Sequence, residues 1–200
     1  MAKALIVGID GTDGCGKTTL VNGLIDNYTK KGLKITFLHF PRYNTELGKV
    51  IKKVLLKELN FHPSAFQMMC SADRVNWSTY ERPAMEEGYD IILVDRFTSS
   101  AIVYGQIEGL DPTEVQFNDR LIAPLDMNIL LLVDPQISMQ RMSGRDEAAT
   151  KYENIEAMTK ALKLYKELPS LIDNVYFVDA SQSIEDVREI VTFLIDQRLE

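Results

Sequence analysis

Cysteine is scarce in this chain, which has two cysteines among its 200 residues. Cys15 and Cys70 lack the paired spacing of disulfide frameworks and cysteine metal sites. Cys15 also lies inside a glycine-rich segment, where a disulfide would block the segment. The sequence therefore argues against a disulfide-stabilised secreted domain, and we expect a reducing, cytoplasmic setting.

Positive charge is also in short supply, because 22 lysines and arginines face 29 aspartates and glutamates, for a net charge of -7. No basic stripe is long enough to follow a phosphate backbone, so nucleic acid is not an expected partner. An anionic small molecule would have to be held by locally placed arginines. The two histidines, His39 and His62, lack metal-ligand spacing, and we expect both to be structural.

Long hydrophobic runs are missing as well. The stretch 126–135 has only a short apolar core, and the N-terminus shows no apolar leader segment, so no membrane partner is expected. Repeats and low-complexity tracts are not seen either. The hydrophobic content of 46% is enough for one well-buried domain, which we place over residues 1–200.

What the chain does contain is an alternation of short apolar segments with helical patterns. The segments are rich in β-branched residues and predict strands at 4–9, 35–40, 91–95, 129–134 and 175–179. Apolar stripes at helical spacing lie between them. This alternation predicts an α/β fold with about five parallel strands and helices on both faces of the sheet.

The segment VGIDGTDGCGKTTL at positions 7–20 joins the first predicted strand to a helix. Its spacing matches G-x-x-x-x-G-K-S/T, in which backbone N–H groups close around a phosphate chain and the helix N-terminus faces the anion. We therefore predict a P-loop NTPase fold that binds ATP. Lys17 would reach the outer phosphates and Thr18 would hold Mg²⁺. The predicted ATP-binding residues are Gly11, Gly14, Gly16, Lys17, Thr18 and Thr19.

Two further strand ends carry candidate ligands for phosphate and metal. Asp95 ends a buried strand, where a carboxylate can organise Mg²⁺ or simply cap the next helix. Arg96 is a planar fork suited to phosphate, although an ion pair is the alternative. Arg42 follows the neighbouring strand directly after Pro41. Two arginines beside a triphosphate loop indicate a second, phosphate-bearing substrate, as in a kinase acting on a monophosphate.

One predicted helix has an unusual stripe, because an arginine interrupts apolar residues at helical spacing. The stripe is read either as ordinary core with a snorkelling arginine or as one wall of a base pocket. Its members are Phe66, Met69, Cys70, Asp73, Arg74 and Trp77.

The segment 135–154 follows the fourth strand and carries Arg141, Arg145 and Lys151 around Gly144. A solvated basic patch is one interpretation of this segment. The other is a lid that closes over the triphosphate and brings guanidinium groups to the transferred phosphoryl group.

The order of these motifs resembles the thymidylate kinase family of nucleoside monophosphate kinases over nearly the whole chain. The motifs are the glycine loop containing Asp13, then FPRY, TELGK, SADR, DRF, DP and KYEN. The resemblance implies transfer of the ATP γ-phosphoryl group to dTMP with Mg²⁺, and a homodimer. The alternatives are another deoxynucleoside monophosphate kinase, a deoxynucleoside kinase or, in a different class, a nucleotide-dependent switch.

The resemblance also implies roles for individual residues. Asp13 would contact the sugar 3′-hydroxyl, Arg74 the pyrimidine O4, and Tyr104 the region of sugar C2′. Because this chain has Gly14 where some members have a catalytic arginine, lid arginines would supply that charge. The implied catalytic residues are Lys17, Asp13, Arg96, Arg141 and Arg145. The implied dTMP-binding residues are Asp13, Phe40, Arg42, Cys70, Arg74, Arg96, Ser100 and Tyr104, and the implied metal ligands are Thr18 and Asp95.

The chain departs from the family pattern at two positions. The spacing of FPRY leaves open whether Arg42 or Tyr43 contacts the acceptor phosphate. Cys70 stands where the family usually has a phenylalanine that stacks on thymine. The identity of the base is therefore less well specified by the sequence than the type of reaction.

Overall fold

The centre of the fold is a five-stranded sheet with strand order β2-β3-β1-β4-β5, and every pairing in it is parallel. The computed structural model describes residues 3–143 and 152–199. Its strands are β1 (Leu5–Gly11), β2 (Ile35–His39), β3 (Ile91–Asp95), β4 (Met127–Leu132) and β5 (Val175–Asp179). The predicted α/β class and five parallel strands are confirmed.

Helices cover both faces of this sheet. They are α1 (Lys17–Lys30), α2 (Glu46–Leu55), α3 (Pro63–Asn76), α4 (Arg82–Gly88), α5 (Thr98–Ile107), α6 (Pro112–Asn118), α7 (Pro135–Met142), α8 (Ile155–Glu167) and α9 (Ile184–Leu199). A π-helical turn, Trp77–Glu81, joins α3 to α4, and a 3-10 turn, Leu168–Ser170, follows α8. In the part of the chain that the structure describes, no helix is both long and apolar enough to span a bilayer.

Burial along the strands explains their composition. The central strands β1, β3 and β4 are almost fully buried, which accounts for their continuous apolar sequences, whereas the edge strands β2 and β5 are partly exposed. On the side of α1 and α9, Leu24, Tyr28 and Val191 belong to one large apolar cluster. Helices therefore cover the central strands on both faces, while the edge strands remain partly exposed.

An aromatic cluster fixes the opposite side of the sheet near the ends of β2 and β3. The rings of Phe40, Trp77 and Phe97 meet edge to face, with centroids 5.5 Å (Phe40–Trp77), 5.2 Å (Phe40–Phe97) and 5.6 Å (Trp77–Phe97) apart. All three side chains are buried. They anchor the segments that leave β2 and β3, which are the segments carrying the FPRY and DRF motifs.

Strand register brings the three predicted clusters together. Asp95 pairs with Ile9 on one side and with His39 on the other, so β1, β2 and β3 end at the same edge of the sheet. Ligands of open parallel sheets bind beyond these carboxyl ends. The glycine loop, FPRY and DRF therefore all surround one region.

Candidate active site

The glycine loop between β1 and α1 adopts backbone angles that side chains disfavour. Gly14 has φ +77° and Gly16 has φ +98°. A Cβ added to Gly14 would lie 2.6 Å from the carbonyl oxygen of Ser138, so α7 packs too closely against the loop for any side chain there. Gly16 is the N-cap of α1, which has no side-chain cap and no acidic residue in its first turn. Its N–H groups are thus available to an anion.

Lys17 lies within this loop and is buried. Its Nζ donates to the carbonyl oxygens of Gly11 at 3.0 Å and Thr12 at 3.1 Å. Burial alone would lower the pKa of Lys17, but its interactions with Cys15 and then with Asp95 and Asp13 leave this pKa above its ordinary value. The ammonium group is therefore held as a cation at the predicted phosphate site.

Asp95 is the carboxylate at the end of β3, and Asp10 lies near the end of the neighbouring strand β1. Asp95 Oδ2 is 3.0 Å from His39 Nδ1, and Asp95 Oδ1 is buried without a hydrogen-bond partner among the described residues. Burial would raise the pKa of Asp95, but Lys17, the His39 hydrogen bond and Arg96 outweigh it and lower this pKa. A buried, ionised oxygen without a partner is suited to a hard cation. Thr18 and Thr19 are exposed on the first turn of α1.

Arg96 connects the glycine loop to the rest of the site. Its guanidinium donates to Asp13 Oδ1 and lies 5.4 Å from the ring centre of Tyr104. Its backbone has φ +58°, a left-handed conformation that is rare outside glycine and clusters at functional sites. Burial would lower the pKa of Arg96, but Asp13, Tyr104 and Asp95 raise this pKa well above its ordinary value. A permanent cation therefore faces the region between the loop and the adjoining cavity.

This cavity opens beside Arg96 and Asp13 and holds about 650 Å³ of empty space that is continuous with solvent. Most of its wall is apolar or aromatic, with a few polar groups. The lining residues include Asp13, Phe40, Tyr43, Phe66, Gln67, Cys70, Arg74, Arg96, Ser100, Tyr104 and Tyr152. Of the eight residues predicted to contact dTMP, all except Arg42 lie on this wall.

Arg42 occupies a different environment from the one predicted. Its Nε donates to Asp73 Oδ1 at 2.9 Å, and its Nη1 donates to Glu81 at 2.5 Å. The side chain is buried in this ion-pair network and does not line the cavity. Tyr43 lines it instead, with its ring 5.6 Å from that of His39. The structure thus places Tyr43, and not Arg42, on the cavity wall.

Helix α3 contributes Cys70 and Arg74, one turn apart, to the cavity wall. Arg74 Nη2 donates to Asp119 Oδ1 at 2.9 Å and to Ser71 Oγ at 3.1 Å, which fixes the guanidinium in place. Neither Cys70 nor Cys15 forms a disulfide. Phe40 is shared between the cavity wall and the aromatic cluster below it.

Ser100 lies at the junction of the cavity and the glycine loop. Its hydroxyl donates to Asp10 Oδ1 and is 3.1 Å from the hydroxyl of Tyr165, which in turn donates to the carbonyl of Gly11 at 3.4 Å. Burial, reinforced by Asp95, raises the pKa of Asp10. This chain of polar groups links α5 and α8 to the first glycine of the loop.

The predicted lid, residues 135–154, begins with a helix. Residues Pro135–Met142 form α7, and Asp134 caps that helix by accepting a hydrogen bond from the backbone of Gln136 at 2.7 Å. Arg141 ends α7, and its Nη1 donates to the carbonyl of Ala180 at 2.7 Å. Arg145 and the stretch 144–151 lie outside the described residues. Tyr152, just beyond that stretch, packs against Tyr104 with the ring planes tilted by 46° and the centroids 4.6 Å apart.

Comparison with known proteins places this arrangement in a family. Residues 9–191 match the family model described as thymidylate kinase. The chain belongs to the thymidylate kinase family. It is 30% identical to the thymidylate kinase of Schizosaccharomyces pombe over 197 residues, covering 96% of this chain and 92% of that one. It is 29% identical to the probable thymidylate kinase of Archaeoglobus fulgidus, covering 98% and 96%.

A solved structure of thymidylate kinase from Candida albicans has the same fold, with a TM-score of 0.77 at 21% identity, covering 99% of this chain and 93% of that chain. The predicted P-loop NTPase fold and the predicted membership of the thymidylate kinase family are confirmed. The protein is therefore a kinase of the nucleoside monophosphate type.

Several residues of this thymidylate kinase site were not predicted from the sequence. Gln67 and Tyr152 line the cavity, and His39 contacts the predicted metal carboxylate. Asp10 is buried against Ser100. The only available signals were the position of His39 at a strand end, which we took as structural, and the KYEN motif around Tyr152. Gln67 is one polar residue in an amphipathic helix, so nothing marked it in advance.

Proposed function

We propose that this thymidylate kinase transfers the γ-phosphoryl group of ATP to dTMP, giving ADP and dTDP. The observation that carries the proposal is the Arg96–Asp13 pair, which joins the phosphate loop to an open, mostly apolar cavity. A donor triphosphate on the loop and an acceptor monophosphate in the cavity would meet at this pair. Catalysis would then depend on positioning and on stabilisation of charge.

On the donor side, the backbone of the glycine loop and the N-terminus of α1 would hold the ATP phosphates. Lys17 would leave the loop carbonyls that it contacts and bind the outer phosphates. The negative phosphates themselves would favour the charged form of the ammonium group there.

The residues present also fit Mg²⁺, which binds through one or two protein oxygens and the substrate phosphates. The partnerless Oδ1 of Asp95 and the exposed hydroxyl of Thr18 would hold the ion. When bound, Mg²⁺ neutralises charge on the β- and γ-phosphates. The contact between His39 and Asp95 Oδ2 engages one carboxylate oxygen and leaves Oδ1 without a partner among the described residues.

On the acceptor side, Arg96 would bind the dTMP phosphate and Tyr43 would contact it in place of Arg42. Asp13, already paired with Arg96, would accept a hydrogen bond from the sugar 3′-hydroxyl. Arg74 would donate to O4 of the base, and Tyr104 would pack against the sugar at C2′. Cys70, on the same wall, gives the base no aromatic face on which to stack.

The lid would supply the remaining positive charge. Gly14 leaves no space for a loop arginine, because α7 lies against it. We infer that Arg141 or Arg145 stabilises the transferred phosphoryl group after the lid closes. For Arg141 this requires breaking its hydrogen bond to Ala180.

We also infer a homodimer in a reducing, cytoplasmic setting. Support for the dimer comes from exposed apolar side chains on and beside neighbouring helices α3 and α6, namely Met68, Phe117 and Leu121. Exposed apolar groups on one face are typical of protein interfaces. The absence of a disulfide between Cys15 and Cys70 fits a reducing compartment.

A panel of acceptors tests the proposed reaction. ATP and Mg²⁺ are supplied with dTMP, dUMP, dCMP, dGMP, dAMP or thymidine, and kcat/KM is measured for each. We expect dTMP first and dUMP within about 200-fold of it, because a single methyl contact discriminates weakly. Faster reaction of thymidine than of dTMP would identify a deoxynucleoside kinase. ATP hydrolysis that does not depend on any acceptor would identify a switch.

A further inference from the structure

Gln67 is a buried polar residue that the reaction described above does not use. It lies on α3, is 3% exposed and contributes to the wall of the cavity. Its Oε1 is buried and has no hydrogen-bond partner among residues 3–143 and 152–199. Buried polar atoms in folded proteins are nearly always paired, so an orphaned oxygen beside a cavity points to a ligand that completes it.

The position of Gln67 on the helix directs it to the base end of the cavity. It precedes Cys70 by three residues and Arg74 by seven, so the three share one face of α3. A Cβ added to Gly105 on α5 would lie 3.9 Å from Cδ and Nε2 of Gln67, so the neighbouring helix passes close to the carboxamide. The carboxamide still rotates about its last torsion, which exchanges its oxygen and amino group without moving the helix.

Arg74 has a second unused polar atom on the same wall. Its Nε is buried without a partner in the described chain, while its Nη2 is held by Asp119 and Ser71. Arginine only donates hydrogen bonds, whereas the oxygen of a carboxamide only accepts them. These two residues of the cavity wall therefore contribute one acceptor and one donor whose partners are missing from the described chain.

We propose that Gln67 is a base-selecting residue, whose Oε1 accepts a ring N–H while Arg74 donates to the adjacent carbonyl of the base. The inference rests on the proposed function, because it assigns specificity within the acceptor site. Thymine and uracil present this carbonyl and N–H pair at O4 and N3. Cytosine presents an amino group beside an unprotonated ring nitrogen. Rotation of Gln67 would satisfy that nitrogen, but Arg74 cannot accept from the amino group.

The test compares Gln67→Met, which keeps the shape of the side chain but removes its oxygen, with wild type. We expect kcat/KM for dTMP to fall about tenfold, through KM and with little change in kcat, which corresponds to the loss of one hydrogen bond. The rate with dCMP should stay within about twofold. Gln106→Met is the matched control, because Gln106 lies on α5 and donates within its own helix to Ile102.

A substrate analogue gives a second readout that does not depend on how the variant folds. The N3-methyl analogue of dTMP has no ring N–H and keeps both carbonyl groups. Wild type should bind it at least about tenfold more weakly than dTMP, and Gln67→Ala, which removes the oxygen and leaves room for the methyl group, should reduce this difference. If wild type phosphorylates dTMP but does not distinguish the analogue, the role of Gln67 is overturned. If wild type phosphorylates no pyrimidine monophosphate, the proposed function fails instead.

Discussion

Arg42 and Arg96 both follow strand ends, but their surroundings indicate different roles. Arg42 is surrounded by carboxylates and is buried with Asp73, whereas Arg96 faces the cavity and pairs with Asp13 in the glycine loop. In the first case the guanidinium holds FPRY against α3 and stabilises the fold. In the second it is placed to bind substrate phosphate.

Replacing each arginine by methionine separates these roles. Arg42→Met strands Asp73 as a buried charge, and losing one partner of a buried pair lowers the free energy of unfolding by about 3–5 kcal/mol. Arg96→Met should reduce kcat/KM for dTMP at least about 100-fold, the size of effect seen when a charge-stabilising donor is removed. Urea unfolding and steady-state kinetics on both variants measure the two quantities. The reverse pattern would show that Arg42 is the phosphate ligand.

Asp10 makes folding stability depend on pH in a specific direction. Burial and Asp95 raise its pKa, so the folded protein binds this proton more tightly than the unfolded chain does. The free energy of unfolding contributed by Asp10 therefore falls as pH rises above the ordinary value of 3.8. Asp10→Asn removes this proton and still offers an oxygen to Ser100.

We expect Asp10→Asn to be more stable than wild type at pH 7, with a smaller difference near pH 4. Urea unfolding of both proteins at a series of pH values measures the two curves. A difference that is constant across the series would mean that Asp10 is ionised in the folded state as readily as in the unfolded chain.

At the scale of whole elements, the contact between the glycine loop and α7 leaves no room for a side chain at Gly14. Gly14 has a left-handed backbone and also lies against the Ser138 carbonyl, whereas Gly32, after α1, has φ +82° with nothing within 4 Å of an added Cβ. Both glycines therefore have a left-handed backbone, but only Gly14 is crowded by a neighbouring element. Replacing Gly32 by alanine measures the cost of the left-handed backbone alone.

Gly32→Ala should lower the free energy of unfolding by about 1–2 kcal/mol, the cost of a left-handed backbone for a residue with a Cβ. Gly14→Ala should cost more, because α7 must also shift, and it should lower kcat. Equal losses of stability in the two variants, from thermal or urea unfolding, would mean that α7 does not restrict the loop.

The lid arginines give a second prediction at this scale. Arg141→Ala or Arg145→Ala should lower kcat more than it raises KM for dTMP, since a group needed mainly in the transition state affects kcat. Arg198→Ala is a suitable control, because Arg198 is near the far end of α9 and contacts Tyr176. If both lid variants keep the wild-type kcat, the positive charge must come from another part of the protein.

The sequence predicts the strands more completely than it predicts the residues of the site. Every strand was placed within two residues of its observed ends, because central strands buried on both faces are continuous apolar runs. Lys17, Asp95 and Arg96 follow strand ends, and topology alone brings such residues together. Arg42 also follows a strand, but only the tertiary contact with Asp73 shows that its side chain turns away from the cavity. The place of Gln67 on the cavity wall depends on the packing of α3 against α5, which the sequence does not show.

At the scale of the whole molecule, the proposed reaction passes a phosphoryl group between two sites on one edge of the sheet. The cavity and the glycine loop share Asp13 and are bridged by Arg96. A switch would need only the loop, and a deoxynucleoside kinase would not need Arg96 at the acceptor. The two-site arrangement therefore favours a monophosphate acceptor over both alternatives.

The most direct test follows the γ-phosphoryl group itself. ATP labelled at the γ-position is incubated with Mg²⁺ and the protein, with dTMP, with thymidine or with no acceptor, and the labelled products are separated. We predict that label enters dTDP at the rate at which ADP forms, and that Lys17→Ala, still folded by circular dichroism, falls below about one tenth of this rate. Label released as inorganic phosphate at the same rate with and without dTMP would contradict the account.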